Sequence, residues 1–236
     1  MMHFDSIQIG STCYQLKELT FHNSLKVAAI PKQLNEKRLS ELLRHILVDG
    51  LDPLKMTVQE RYALLVTYLE KQTKTLLEID MNMQPYLPQY QEQWFTSIRL
   101  DNLTVRQLTG LEAEYLESKC KSVAEWISCA MALQMRYDQH DVLAEAIDLD
   151  NFEPQFLLRL EHFKQLGQIE FNQHYELYSE CNNQLQSILR IAVNDHGFVV
   201  RGGTDDAPIR FCPSAIFIGL IKDVDELHYG EDVHAQ

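Results

Sequence analysis

Nine histidines and five cysteines are the side chains of this 236-residue chain best suited to hold a metal or attack a substrate. Their spacing argues against both. His162 and His174 stand twelve apart, and His228 and His234 six apart. There is no His-Glu-x-x-His and no histidine pair at the three- or four-residue spacing that puts two ligands on one helix face. His228 and His234, near Glu231 and Asp232, could chelate a cation only adventitiously, in an acidic tail. The cysteines (Cys13, Cys120, Cys129, Cys181 and Cys212) are odd in number, scattered, and form no Cys-x-x-Cys. That usage fits buried thiols in a reducing compartment.

The other reactive types fare no better. Asp148 and Asp150 with Glu153 beyond could bind a cation, but acidic residues are also what a helix start prefers. Gly202-Gly203 is followed by Thr204-Asp205-Asp206 rather than by a lysine and a hydroxyl. The missing lysine and the two carboxylates exclude a phosphate loop and leave a β-turn. No Gly-x-Ser-x-Gly marks a nucleophilic serine. No catalytic, cofactor-binding or metal-binding residue is therefore expected, and no cofactor.

Composition narrows the partners. Net charge is −13, with 21 basic and 34 acidic residues. Binding to phosphate backbones needs a local excess of Lys and Arg. Lys26, Lys32, Lys37 and Arg38 are the nearest approach to one, so nucleic acid is not an expected partner. The apolar runs fall far short of the ~20 residues of a membrane helix, and the start Met-Met-His-Phe-Asp has no secretory n-region. The expectation is a cytoplasmic protein with no membrane partner.

Positioning elements are legible in the apolar periodicity. A hairpin that leads onward occurs twice. Residues 7–20 and 98–110 each alternate apolar and polar, turn on short polar residues, and close on a basic residue, Leu and Thr. These are Lys17, Leu19 and Thr20, and Arg106, Leu108 and Thr109. Residues 1–32 read as strand-like, with Gly10-Ser11 as the turn and Pro31 as the stop. A helix is expected from near Asn35, as N-cap, to Asp49-Gly50, with Leu39, Leu42, Leu43, Ile46 and Leu47 on one face. Thr57–Glu60, Thr109–Glu112 and Ser122–Glu125 are three capping boxes, each ahead of an apolar stripe. Residues 73–94, with Pro85 and Pro88, read as an extended connection. Asp101-Asn102 is the tip of a hairpin over 95–108. Pro154 suits the first turn of a helix stopped by Gly167. A further helix carrying Tyr178, Cys181, Leu185, Ile188 and Leu189 is expected to end near Asn194. Strand character returns at Phe198-Val199-Val200, Ile209, Phe211 and Ala215-Ile216-Phe217-Ile218.

The fold class expected is α+β, a helix-rich core with short antiparallel hairpins at the N-terminus, middle and C-terminus. Three segments follow: strands plus a helix pair over 1–94, a hairpin and helical region over 95–195, and a C-terminal strand segment with an acidic tail over 196–236. Partner contact is expected through 4–30 and 196–221, because short sheets leave unpaired edges and the helical stripes are needed for the core.

The two hairpin segments also carry a resemblance. Tyr14-Gln-Leu-Lys-Glu-Leu-Thr20 and Val105-Arg-Gln-Leu-Thr-Gly-Leu-Glu-Ala-Glu-Tyr-Leu-Glu117 resemble segments of tail-assembly and baseplate proteins of tailed bacteriophages. Leu54-Lys-Met-Thr-Val-Gln-Glu-Arg-Tyr-Ala-Leu-Leu65 is similar to a helix of such proteins, and Leu108-Thr-Gly-Leu-Glu-Ala-Glu114 is the strongest piece. The likeness spans roughly residues 10–135, and 150–236 carry none. It implies a non-enzymatic structural or assembly role through contacts with other tail or baseplate proteins. It places the protein in the virion, or in the host cytoplasm during assembly. The competing classes are a cytosolic adaptor unrelated to phage and an enzyme whose site is assembled from distant residues.

Overall fold

A computed structural model describes residues 4–72, 84–89, 94–144, 150–202, 207–211 and 213. The described residues form an α+β fold in which helices outnumber strands and three small antiparallel sheets lie at the N-terminus, middle and C-terminus. The expectations for Asp148, Gly203, Cys212, 215–218, His228 and His234 lie outside the described residues.

The first hairpin pairs β1 (Ile7–Ile9) with β2 (Thr12–Tyr14), Ile7 opposite Tyr14. Ile7, Ile9 and Tyr14 are buried, as a period of two requires. Gly10 turns the chain at φ +55, and a Cβ there would lie 2.4 Å from Cδ1 of Trp94. The strand then ends earlier than the sequence predicts. Thr20 accepts a hydrogen bond from the Asn23 amide and opens α1 (Phe21–Ala28). The repeated basic-x-Leu-Thr thus caps a helix in both copies. The first copy hides this because Asn23 stands where a box needs Glu or Gln, leaving half of the reciprocal cap.

Helix α2 (Asn35–Ile46) also departs from expectation. Asn35 is its first residue rather than its cap, and Leu34 at the cap position offers no side-chain bond. The free amides of Asn35 and Glu36 are taken by the carboxylate of Glu117, at 2.8 and 2.9 Å. A residue 81 positions away does what a local N-cap does elsewhere.

Helix α3 (Val58–Gln72) begins with the Thr57–Glu60 box complete in both directions. Glu60 also accepts from the Tyr14 hydroxyl, tying the first hairpin to this cap. The middle hairpin pairs β3 (Ser97–Leu100) with β4 (Leu103–Arg106) about Asp101 at φ 50. It leads into α4 (Gly110–Lys119) through the Thr109–Glu112 box. The two boxes face each other. Thr57 and Thr109 form an antiparallel bridge, with the Val58 amide donating to Leu108 O and the Gly110 amide to Met56 O.

Helix α5 (Val123–Gln134) is capped by Ser122, but Glu125 reaches back to the Lys121 amide instead of that of Ser122. It runs straight into a strand the periodicity does not announce, β5 (Met135–Tyr137), on the free side of β4. Replacing Thr57, Thr109 or Ser122 by Ala should cost about 0.5–2 kcal/mol each. Buried Thr109 should lie at the upper end and half-buried Ser122, whose capping bond is exposed, at the lower. Urea midpoints of the three variants check this, and a neutral Thr109→Ala would contradict it.

Helices α6 (Phe152–Gln165) and α7 (Gln168–Leu185) turn about Gly167. Helix α7 ends at Leu185, nine residues short of the expected stop near Asn194. Two tertiary effects end it. Gln59 on α3 clamps the backbone beyond, accepting from the Ile188 and Leu189 amides and donating to Leu189 O. The β-branched alternation of Ile191 and Val193 then forms β6 (Arg190–Asn194), paired with β7 (Gly197–Arg201). Residues 207–211 follow β7 through a Val200–Ile209 bridge and bury Phe211 edge-on to Tyr86. One apolar cluster runs from Phe4 to Phe211 and draws on all three sequence segments.

Candidate interaction surface

The buried polar groups hold helices together. Arg61 on α3 is fully buried. It donates to Ser40 Oγ at 3.0 Å, to Pro53 O at 3.2 Å and to Glu36 O at 2.8 Å, and pairs with the Glu36 carboxylate at 3.2 Å. The Tyr62 hydroxyl donates to the other Glu36 oxygen. Burial pushes the Glu36 carboxyl up, and Arg61 opposes it. Burial also raises Glu117, to about 7, with Glu36 adding and the two backbone amides and Arg210 opposing. In the middle of the chain Arg106 pairs with Glu112. Arg159 donates to Ala132 O and Leu143 O, closing the end of α5, and its burial pulls it down to about 10. These charges face backbone groups and one another, which is what buried charge requires to be tolerated.

Three histidines that look unrelated in sequence meet at the α6–α7 turn. The His140 and His162 rings are 4.8 Å apart edge to face, and the Tyr137 hydroxyl lies 2.8 Å from His174 Nδ1. Their ring contacts are edge-on or tilted, and among the described residues no three ligating side chains are placed to hold a metal ion. Burial pulls both His162 and His174 below the ordinary imidazole value. His140 adds to this for both, and Glu170 opposes it for both. A base held lower in the fold than in the unfolded chain binds fewer protons when folded. Stability is therefore present above the unfolded value near 6.5 and declines as pH falls below it. On acidification from pH 7.5 to 5.5 the histidine contribution should fall, while the raised Glu117 carboxyl contributes with the opposite sign. His174→Asn should therefore shift the melting temperature upward relative to wild type at pH 5.5 more than at pH 7.5. An equal shift at both pH values would contradict the assignment.

The remaining candidates resolve one by one. Arg38, fourth of the basic quartet, is buried and donates to Ile30 O and Ala28 O at the end of α1, so it leaves the patch. Glu153 accepts from the Tyr115 hydroxyl. Cys129 and Cys181 are buried as expected and Cys120 is half-buried. Cys13 is exposed, because it falls on the outward phase of β2. No helix among the described residues is long and apolar enough to cross a membrane.

Among the described residues the fold leaves several large apolar side chains uncovered. Phe21 and Leu25, one turn apart on α1, are 62% and 52% exposed. Their spacing puts them on one face while Ser24 and Val27 face the core. Leu157 and Leu158 on α6 and Ile169 on α7 are also exposed. Among the described residues the edges of β1, β2 and β6 carry no further strand, although Leu16 just beyond β2 bridges Leu47, and β7 meets Ile209. The N-terminal segment 4–30 thus presents a helix face as well as strand edges. No sequence signal separates Phe21 and Leu25 from core residues, since helix α1 itself is not legible. Comparison with family models, curated proteins and solved structures finds no match to this chain.

Proposed function

We propose that this chain is a non-enzymatic component of a bacteriophage tail or baseplate, or an assembly factor for one, working through contacts with other tail proteins. The observation that carries the reading is the exposed Phe21–Leu25 pair. It lies on the helix opened by Thr20, the last residue of one of the segments that resemble tail proteins. An apolar patch that none of the described residues covers favours a partner. The buried ion pairs support the same reading, because they are spent on architecture. The net charge of −13 would keep an unassembled subunit soluble. The protein would work in the virion, or in the host cytoplasm during assembly.

A Phe21→Ser, Leu25→Ser double variant tests this. It should keep the wild-type melting temperature, since both side chains are already exposed, and should reduce the yield of complete tails. Mass spectrometry of particles and tail intermediates should find the wild-type chain in one or both. Its absence from every intermediate, or normal tails from the variant, would overturn the reading.

A further inference from the structure

The β6–β7 ribbon contains an arrangement that costs energy. Arg190 and Arg201 are directly opposite in its register. Like charges placed opposite each other on one face of an antiparallel pair are destabilising. Relief by a carboxylate would be expected in a chain with 34 acidic residues. Yet among the described residues no hydrogen bond or ion pair engages either guanidinium, unlike Arg61, Arg99, Arg106, Arg136 and Arg210, each of which has an acidic partner.

Both arginines line one concavity of about 510 Å³ between the ribbon, the end of α7 and residues 85–89. Among the described residues no acidic side chain lines it. Asn183, Gln186 and Gln89 add amides, and Ser187 adds a hydroxyl. Ser187 is only 8% exposed, and its Oγ has no hydrogen-bond partner. A buried hydroxyl without a partner forfeits a hydrogen bond that water would otherwise supply. Two uncompensated guanidinium groups thus border a single polar hollow, and one of its lining residues, Ser187, carries a buried hydroxyl without a partner.

We propose that this hollow is a binding site for a phosphate monoester group, held by Arg190, Arg201 and Ser187. The class follows from the donors. Two guanidinium groups match a doubly negative ligand better than a single carboxylate, and guanidinium forks fit phosphate oxygens. Three terminal oxygens give each of the three donors an acceptor. Bound anion would also cancel the cross-strand repulsion, so binding and ribbon stability should be linked. The site stands apart from the proposed tail role and does not depend on it.

The test is calorimetric titration of the whole chain with inorganic phosphate at constant ionic strength, alongside melting curves in phosphate and in chloride. Phosphate should bind saturably and raise the melting temperature relative to chloride. Arg190→Gln and Arg201→Gln should each weaken binding roughly tenfold or more, the loss of a charged hydrogen-bonding partner. Neither should melt below wild type in chloride, because each relieves the like-charge pair. Ser187→Ala should weaken binding by a smaller factor. Malonate and dimethyl phosphate, a dicarboxylate and a phosphodiester, should bind more weakly than phosphate. The proposal is overturned by phosphate that binds no better than chloride, by binding that survives in both arginine variants, or by dimethyl phosphate binding equally well. Lower melting of both arginine variants in chloride would show that the arginines are already paired within the chain, and would also overturn it.

Discussion

Arg61→Met is expected to destabilise the protein by about 3–5 kcal/mol, the cost of stripping one partner from a buried ion pair. Glu36 is 1% exposed, and Arg61 is the cation paired with it. Removing the guanidinium leaves the carboxylate without its counter-charge and frees Ser40 Oγ, Pro53 O and Glu36 O from their shared donor. The urea midpoint should fall with little change in slope. Adding Glu36→Gln to Arg61→Met should recover part of the loss, because the charge that lost its partner is gone. The pH dependence carries a sign of its own. The Glu36 carboxyl is already raised by burial, and losing Arg61 raises it further. An acid whose folded value is raised gains stability as pH falls, so the variant should be less impaired at pH 5 than at pH 8. A loss below about 1 kcal/mol, well under the range for a broken buried pair, would refute the role given to Arg61.

Gly110→Ala should cost roughly 3 kcal/mol, the upper end for overpacking, although helix propensity alone favours Ala over Gly by about 1 kcal/mol. A Cβ on Gly110 would fall 1.9 Å from Arg61 Nη1 and 2.3 Å from Pro53 O. The first neighbour is anchored by its own hydrogen bonds and the second is backbone, so neither yields cheaply. Gly110 opens α4 just where the two capping boxes bridge, and the close approach of α3 and α4 depends on its missing side chain. In the Arg61→Met background the penalty should shrink, since one of the two obstacles is removed and the sites are in contact. Thermal melts of the two single variants and the double variant measure that coupling. A stabilised Gly110→Ala would mean that the helices do not approach as closely as described.

Local hydrogen bonding explains what was legible in the sequence. Thr57, Thr109 and Ser122 cap helices because the hydroxyl and the amide it satisfies are three residues apart, so the pattern is complete within one turn. The middle hairpin was equally plain, since Asp101-Asn102 sits between alternating runs that pair with each other. The α+β class followed from those periods. Wherever an element's partner lay far along the chain, the residues were silent. Helix α2 is capped by Glu117, β5 takes its place because β4 offers a free side, and α7 stops because Gln59 seizes the backbone after it. Helix α1 was missed for a local reason, the half-formed cap at Thr20.

The same division holds for function. Sequence by itself set the charge and the lack of motif spacing for metal or nucleophile, and it prompted the tail reading that is proposed above. Only the tertiary structure decided that Arg61 faces Glu36, that Phe21 and Leu25 are left outside, and that Arg190 lies across from Arg201. Exposure and cross-strand register depend on which surfaces the rest of the chain covers. A residue's own neighbours in sequence cannot encode that, because the free energy that selects it is spread over contacts between distant elements.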